Sequence, residues 1–267
     1  MSPHLGAEIH PTAIVAPGAE IGAGCSIGPY VIVGGDVVLG EKVVIHSHAV
    51  VTGHTDVGAG TRIFPFASIG HEPQDLKFAG EETRLVIGAR NTIREYVTMN
   101  PGTAGGGGIT RVGDGNLFMM SVHVGHDCQV GSGVIIANSV ALAGHVVVED
   151  NVVIGGLSGI QQFCRIGRGA MIGGMSGVVA DVIPYGTTAG ERAHLAGLNL
   201  IGLKRRGADR DEVNELRAAY SDIFEDASLV FQDRIGRARE RYPENALIDD
   251  IVRFVQTEGA KRFTQPE

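Results

Sequence analysis

The sequence predicts an all-β solenoid, a parallel β-helix built from hexapeptide repeats and followed by a small α-helical subdomain. Three observations carry this. The first is a period: Val112, Phe118, Val124, Val130, Ile136, Leu142, Val148, Ile154, Ile160, Ile166, Ile172 and Val178 stand at every sixth position without a slip. A helix repeats near 3.6 residues and a strand at 2, so neither places one residue type every six. Short strands joined by sharp turns do, with three hexads making a triangular coil of about 18 residues. The second observation is the 40 glycines. Many follow the aliphatic position, as in Val124-Gly125 and Ile172-Gly173, or come two residues later, as at Gly115, Gly133 and Gly169. They are expected to supply the positive φ of the turns. The third is a change of composition after Val178, from Gly and Val to Arg, Glu, Asp and Leu.

In chain order, the repeat starts at Ile9 and runs through Val15, Ile21, Ile27 and onward to Ile69. It breaks at His71–Phe78, resumes at Ile87 and Ile93, and breaks again at Pro101–Arg111. Residues 1–190 are therefore read as the β-helix, with excursion loops near 71–86 and 101–111. The second loop holds Gly105 to Gly108, but it lacks the Gly-Lys-Ser/Thr ending of a phosphate-binding loop. Loops that leave a rigid scaffold are common carriers of function. The fifth hexad position is small or β-branched, as at Val134, Val152, Ala170 and Ser176, and suits a second inward site in a narrow core.

Residues 191–267 are read as the helical subdomain. Asp209 and Glu212 resemble a capping box ahead of Val213, Leu216, Tyr220 and Ile223. Leu229, Phe231, Ile235 and Ala238 suggest a second helix. Pro243, taken as a first-turn residue, precedes a third at Leu247, Ile251 and Val255. Such a unit is expected to cover the open end of the solenoid and its strand edges.

Composition excludes several classes. No apolar run approaches the roughly 20 residues of a membrane span. Met1-Ser2-Pro3-His4 has neither the basic nor the apolar part of a secretory signal. Cys25, Cys128 and Cys164 all fall at the fifth hexad position and read as buried apolar residues in a reducing compartment, so a cytoplasmic protein is expected. The net charge of −8 argues against nucleic acid. Any acidic partner must meet a local basic patch, for which Arg165, Arg168, Lys204, Arg205, Arg206 and Arg210 are the candidates.

Among the ten histidines, His123, His126 and His145 draw together. Gly144 falls one coil of about 18 residues beyond His126, which sets His145 beside it. Taken singly each is an ordinary turn residue, but aligned on one edge they suggest a site. Asp127 beside His126 suits the orientation of a general base. A zinc site would need further Cys or carboxylate ligands at metal spacing, and none is present, so no metal is expected.

Four separated motifs carry a resemblance that spans nearly the whole chain: Asp75-Leu76-Lys77; His123-Val124-Gly125-His126-Asp127-Cys128; Leu142-Ala143-Gly144-His145; and Gly202-Leu203-Lys204-Arg205-Arg206-Gly207. Together they resemble the UDP-N-acetylglucosamine acyltransferases, which catalyse the first step of lipid A biosynthesis in Gram-negative bacteria. The resemblance implies a left-handed β-helix and transfer of a 3-hydroxyacyl group from acyl carrier protein to the 3-hydroxyl of UDP-N-acetylglucosamine. It assigns the general base to His126, its orientation to Asp127 and an oxyanion-binding N–H to Gly144. Asp75, Lys77, His123, His145, Gln162 and Arg205 match substrate-contacting positions, the last of them toward the nucleotide phosphates. Gly174 matches the position that sets acyl-chain length and, lacking a side chain, implies a long chain. The family implies a homotrimer with sites between solenoids and no soluble cofactor. Gln161 and Arg192 depart from the family pattern, which carries histidines there, and both concern nucleotide or substrate contact.

Two other readings fit the repeat. The sister N-acyltransferase of the pathway normally carries an N-terminal uridine-binding domain, for which hexads beginning at Ile9 leave no room. A non-enzymatic hexapeptide-repeat scaffold is the other, because the fold alone fixes no substrate.

Overall fold

A computed structural model describes residues 6–224, 229–257 and 262–267. Met1 to His4, where no secretory segment is expected, lie outside them. Short strands, mostly of two residues, recur at each hexad and stack coil on coil into three parallel sheets, the faces of a triangular prism. The first face runs from Glu8–Ile9 to Met171–Ile172, the second from Ile14–Val15 to Gly177–Val178, and the third from Glu20–Ile21 to Arg165–Ile166. Registers are in step: His123 pairs with Ala141 and Val124 with Leu142, and the next coil repeats the pattern at Gly159 and Ile160.

Each hexad sends two residues inward. The aliphatic position supplies Ile136, Leu142, Ile154 and Ile172, and the fifth position supplies Val134, Val140, Val152 and Ala170, all buried. The three cysteines occupy this second position, buried and unpaired. Burial pushes the Cys128 thiol up to about 12 and the Cys164 thiol up to about 11, so neither is a ready nucleophile. At one corner the core turns polar without loss. Thr61, Asn91 and Asn116 are buried there, and Asn91 Nδ2 donates to the Gly88 and Gly113 carbonyls at 2.8 and 2.9 Å.

The glycines work differently from the sequence expectation. Apart from Gly70, those directly after the aliphatic position do not have positive φ; they are needed because adjacent coils approach too closely for a Cβ. At Gly88 an added Cβ would lie 2.7 Å from the Gly113 carbonyl oxygen. The left-handed turn position comes two residues later. Gly115, Gly133 and Gly169 do take it, but so do Tyr30, His48, Phe66, Asp127, His145 and Asn151. Tertiary context therefore holds many side chains in a conformation that costs about 1–3 kcal/mol each.

Both excursions leave from the second face, after Ser68–Ile69 and after Thr98–Met99. Strands resume at Arg84 and at Ile109, a few residues earlier than the periodicity marks, because Arg84–Ile87 and Ile109–Val112 are four-residue strands paired to each other. The residue 190/191 boundary lies within an antiparallel hairpin, Gly186–Ala189 with His194–Leu198, that sequence periodicity does not reveal. The hairpin extends the first face, Arg192 bridges to Gly177 on the second, and Phe263 bridges to Asp181. The last strand edges are thereby occupied.

Helices follow: α1 (Leu200–Arg205), α2 (Arg210–Phe224), α3 (Phe231–Arg241) and α4 (Ala246–Gln256). Asp209 Oδ1 accepts from the N–H groups of Asp211 and Glu212 and so caps α2. Pro243 does not open α4 as expected. It lies in the preceding turn, and Asn245 is the cap, accepting from Leu247 and Ile248. Leu216, Ala219, Ile235, Ile248 and Val252 form a second core with Ile183, Tyr185 and Leu195.

Candidate active site

The turn Gly125-His126-Asp127-Cys128 joins His123–Val124 on the second face to Gln129–Val130 on the third. His126 and Asp127 are neighbours in sequence, and side chains of neighbours normally diverge. Here Asp127 has φ 61°, and its N–H donates to Thr110 Oγ1 at 2.7 Å. The carboxylate consequently swings beside the imidazole, with Oδ2 2.7 Å from His126 Nδ1. Asp127 also accepts from the Thr103 N–H at 2.8 Å on Oδ1 and from the Thr103 hydroxyl at 2.6 Å on Oδ2. A carboxylate Oδ2 accepts, so the Nδ1 hydrogen points at Asp127, and in the neutral ring that tautomer leaves the lone pair on Nε2. His126 and Asp127 are both buried, at 8% and 4% exposure. That limits competition from water for these bonds.

One coil further on, Gly144 lies against the imidazole. An added Cβ would come within 2.4 Å of His126 Cε1 and 2.5 Å of Nε2, so only glycine lets the ring sit there. His145 meets His126 edge-on at 5.0 Å between centroids, and its Nε2 is 3.7 Å from Asp127 Oδ2. Phe163, from the next coil, stacks on the other side of His145 at 4.6 Å. Burial holds the His145 pKa below the ordinary histidine value, against the opposing charge of Asp127. The His123 pKa is also lowered, first by burial and then by His126, while its Nδ1 meets Thr98 Oγ1 at 2.7 Å. Both rings are therefore neutral near pH 7 and able to donate or accept hydrogen bonds.

Two cavities adjoin the dyad. One of 610 Å³ runs over the second face, lined by His123, His126, Gly144, Gln161, Gln162 and Val179. The other, of 360 Å³, lies between the two excursions and is lined by Asp75, Lys77, Glu81, Thr103, His145 and Phe163. All the sequence-expected residues thus fall on these two cavities except Asp127, which backs His126, and Arg205 and Gly174. Arg205 ends α1, exposed. Gly174 sits at the opposite edge of the second face, in the turn after Met171–Ile172. Of the substituted positions, Gln161 lines the larger cavity and Arg192 lies in the terminal hairpin turn.

The basic-patch expectation needs correction at two residues. Arg165 is mostly buried, bound to Asp181 at 2.7 Å and lying over the Phe254 ring. Arg168 lies between Glu149 and Asp250. These cations tie the solenoid to α4. Lys204, Arg205, Arg206 and Arg210 are exposed. Sequence reasoning also missed Thr103, Thr110 and Phe163, none of which stands out by type or spacing. Among the described residues, His126, Asp127 and His145 are the one group of three whose ligand-type atoms come together, within 4.8 Å. Asp127 already accepts three hydrogen bonds there, so a cation would have to displace one of them.

A histidine held by a buried carboxylate, facing a groove along a hexapeptide β-helix, suits the general-base chemistry that hexapeptide-repeat acyltransferases perform. Comparison with known proteins agrees. The pattern described as bacterial transferase hexapeptide matches residues 18–53 and 109–144, and that described as UDP N-acetylglucosamine O-acyltransferase, domain 2, matches residues 181–263. An acyl-(acyl-carrier-protein)–UDP-N-acetylglucosamine O-acyltransferase of Paracoccus denitrificans is 53% identical over 205 residues, 76% of this chain and 77% of that protein. A crystal structure of a UDP-N-acetylglucosamine acyltransferase superposes with a TM-score of 0.92 at 41% identity, covering 97% of this chain and 99% of the other. The Campylobacter jejuni enzyme of that name gives 0.90 at 36% identity, covering 97% and 100%. The chain belongs to the UDP-N-acetylglucosamine O-acyltransferase family, and its coil is the left-handed one that this family resemblance implies. No helix among the described residues is long and apolar enough to cross a membrane.

Proposed function

We propose that this protein transfers a 3-hydroxyacyl group from acyl carrier protein to the 3-hydroxyl of UDP-N-acetylglucosamine, the first step of lipid A biosynthesis, in the cytoplasm and as a homotrimer. The observation that carries the reading is the 2.7 Å contact between His126 Nδ1 and Asp127 Oδ2 at the mouth of the larger groove. In this reading His126 Nε2 takes the proton of the sugar hydroxyl as its oxygen attacks the thioester carbonyl. The Gly144 N–H has no backbone acceptor among the described residues and donates to the developing oxyanion. Collapse of the tetrahedral intermediate breaks the carbon–sulfur bond, and the imidazolium returns its proton to the departing thiolate. The new ester and the free thiol of the carrier are the products.

The remaining roles divide by cavity. Asp75, Lys77 and His145 contact the sugar nucleotide from the smaller cavity, and His123 and Gln162 do so from the larger one. Arg205 meets the nucleotide phosphates or the acidic carrier from a neighbouring subunit, which accounts for its distance from both cavities. Gly174 leaves room for a long acyl chain. The chemistry needs no metal or soluble cofactor.

The test is direct. Purified protein is incubated with UDP-N-acetylglucosamine and a 3-hydroxyacyl carrier protein, and the products are analysed by mass spectrometry. A 3-O-acylated sugar nucleotide is expected. Absence of product, or acylation only of an amine on a deacetylated or 3-amino sugar, would contradict the reading.

A further inference from the structure

We propose that Thr103, on the second excursion, is a positioning residue that fixes the His126–Asp127 pair through its hydroxyl. This rests on the acyl-transfer reading above and adds to it a residue outside the repeat. Three observations support it. Thr103 is in extended backbone at φ −125° and ψ 157°, just ahead of the 3-10 turn Ala104–Gly106, where a Thr hydroxyl ordinarily caps its own turn. It does not do so here; the hydroxyl goes to Asp127 Oδ2 at 2.6 Å. The oxygen it meets is the one that holds His126 Nδ1.

The loop is also shaped around that carboxylate. An added Cβ at Gly106 would lie 2.0 Å from Asp127 Cγ, so the backbone passes directly over the group and seals it from water. The excursion itself has other anchors. Gly102 donates to the Arg84 carbonyl, Gly108 donates to the Thr103 carbonyl, and the Ala104 N–H donates to Glu81 Oε1. Removing one hydroxyl therefore leaves the loop in place and leaves Oδ1 bound to the Thr103 N–H. What is lost is the fixed direction of Oδ2. The carboxylate then samples other rotations, and the imidazole is less often aligned for proton transfer.

The signature is a fall in kcat with little change in KM, because Asp75, Lys77 and His145 are untouched. Thr103→Val removes the hydroxyl with the shape kept, and Thr103→Ser restores it. With wild type measured in parallel on UDP-N-acetylglucosamine and a 3-hydroxyacyl carrier, the Val variant should lose about tenfold in kcat, a fraction of the 10²–10⁴ that a general base supplies. KM for both substrates should stay within about twofold and the Ser variant should approach wild type. Wild-type kcat in the Val variant would overturn the proposal. So would a parallel loss in Val and Ser variants, or a rise in KM that accounts for the whole effect, since either assigns Thr103 to loop structure alone. An inactive wild type would instead count against the acyl-transfer reading. Should the Val variant unfold, Thr103→Ala in its place is judged by the same comparison with Ser.

Discussion

His126 and Asp127 are consecutive residues whose side chains meet at 2.7 Å because Asp127 takes a left-handed backbone at φ 61°. The turn thus brings an imidazole and a carboxylate together from two adjacent positions, the pair proposed above as base and orienter. Asp127→Asn keeps the volume but places an amide where three donors converge. We expect kcat to fall by about 10²–10⁴, as when a general base loses its working tautomer, with roughly 1–3 kcal/mol of stability lost from the mismatched donors. Steady-state kinetics and thermal unfolding of the variant measure both; unchanged kcat would remove Asp127 from the mechanism.

Gly174→Met should shift acyl preference toward shorter chains. An added Cβ comes nearest the Gly156 carbonyl oxygen, at 3.2 Å, and Gly174 does not have positive φ, so the variant should fold. Each methylene denied burial forfeits about 0.8 kcal/mol, so several lost methylenes alter the long-to-short ratio by orders of magnitude. Competing long and short 3-hydroxyacyl carriers against each other reads the ratio directly. A preference that does not move removes Gly174 as the ruler.

The exposed cations Lys204, Arg205, Arg206 and Arg210 should steer an acidic carrier toward a protein of net charge −8. Added salt screens such steering over about 8–10 Å, so KM for the acyl carrier should rise with ionic strength. Reversing Arg205 and Arg210 to Glu should raise it further while leaving the fold intact. Arg165→Glu should behave otherwise, destabilising the chain by leaving Asp181 beside a like charge. Equal KM in wild type and the double reversal would rule out this patch.

Stability should fall with acid in a window set by histidine. His46, His123 and His145 are all held below the ordinary histidine pKa, each chiefly by burial. The folded state then binds fewer protons than the unfolded one, so stability is full above about pH 6.5 and declines as pH drops toward the lowered values. Tm at about pH 5.5 should lie below that at about pH 7.5, and replacing His123 and His145 by Asn should narrow the gap. A Tm that rises on acidification would give the wrong sign.

How far the sequence reveals this molecule depends on whether a residue belongs to the repeat. Strict period places His126, Gly144 and Gln162 on one edge, because each coil is a fixed displacement of the last. Thr103 has no such coordinate, since it lies on an excursion whose path over Asp127 is set by three-dimensional contacts. Composition shows the many glycines but not why they are there: close approach at Gly88 and positive φ at Gly115 look alike in sequence. Arg165 appears as a free cation until the structure shows Asp181 bound to it. The hairpin at Gly186–Leu198 has neither the period of the coils nor that of a helix, so it is hidden between the two.

The central claim is that His126 is the general base, and the most direct measurement is turnover of His126→Ala with UDP-N-acetylglucosamine and a 3-hydroxyacyl carrier. The ring stands at the edge of the coil, outside the apolar column, so the variant should keep its Tm within a few degrees. Its kcat should fall by about 10²–10⁴. A folded His126→Ala protein that turns over at close to the wild-type rate would contradict the account.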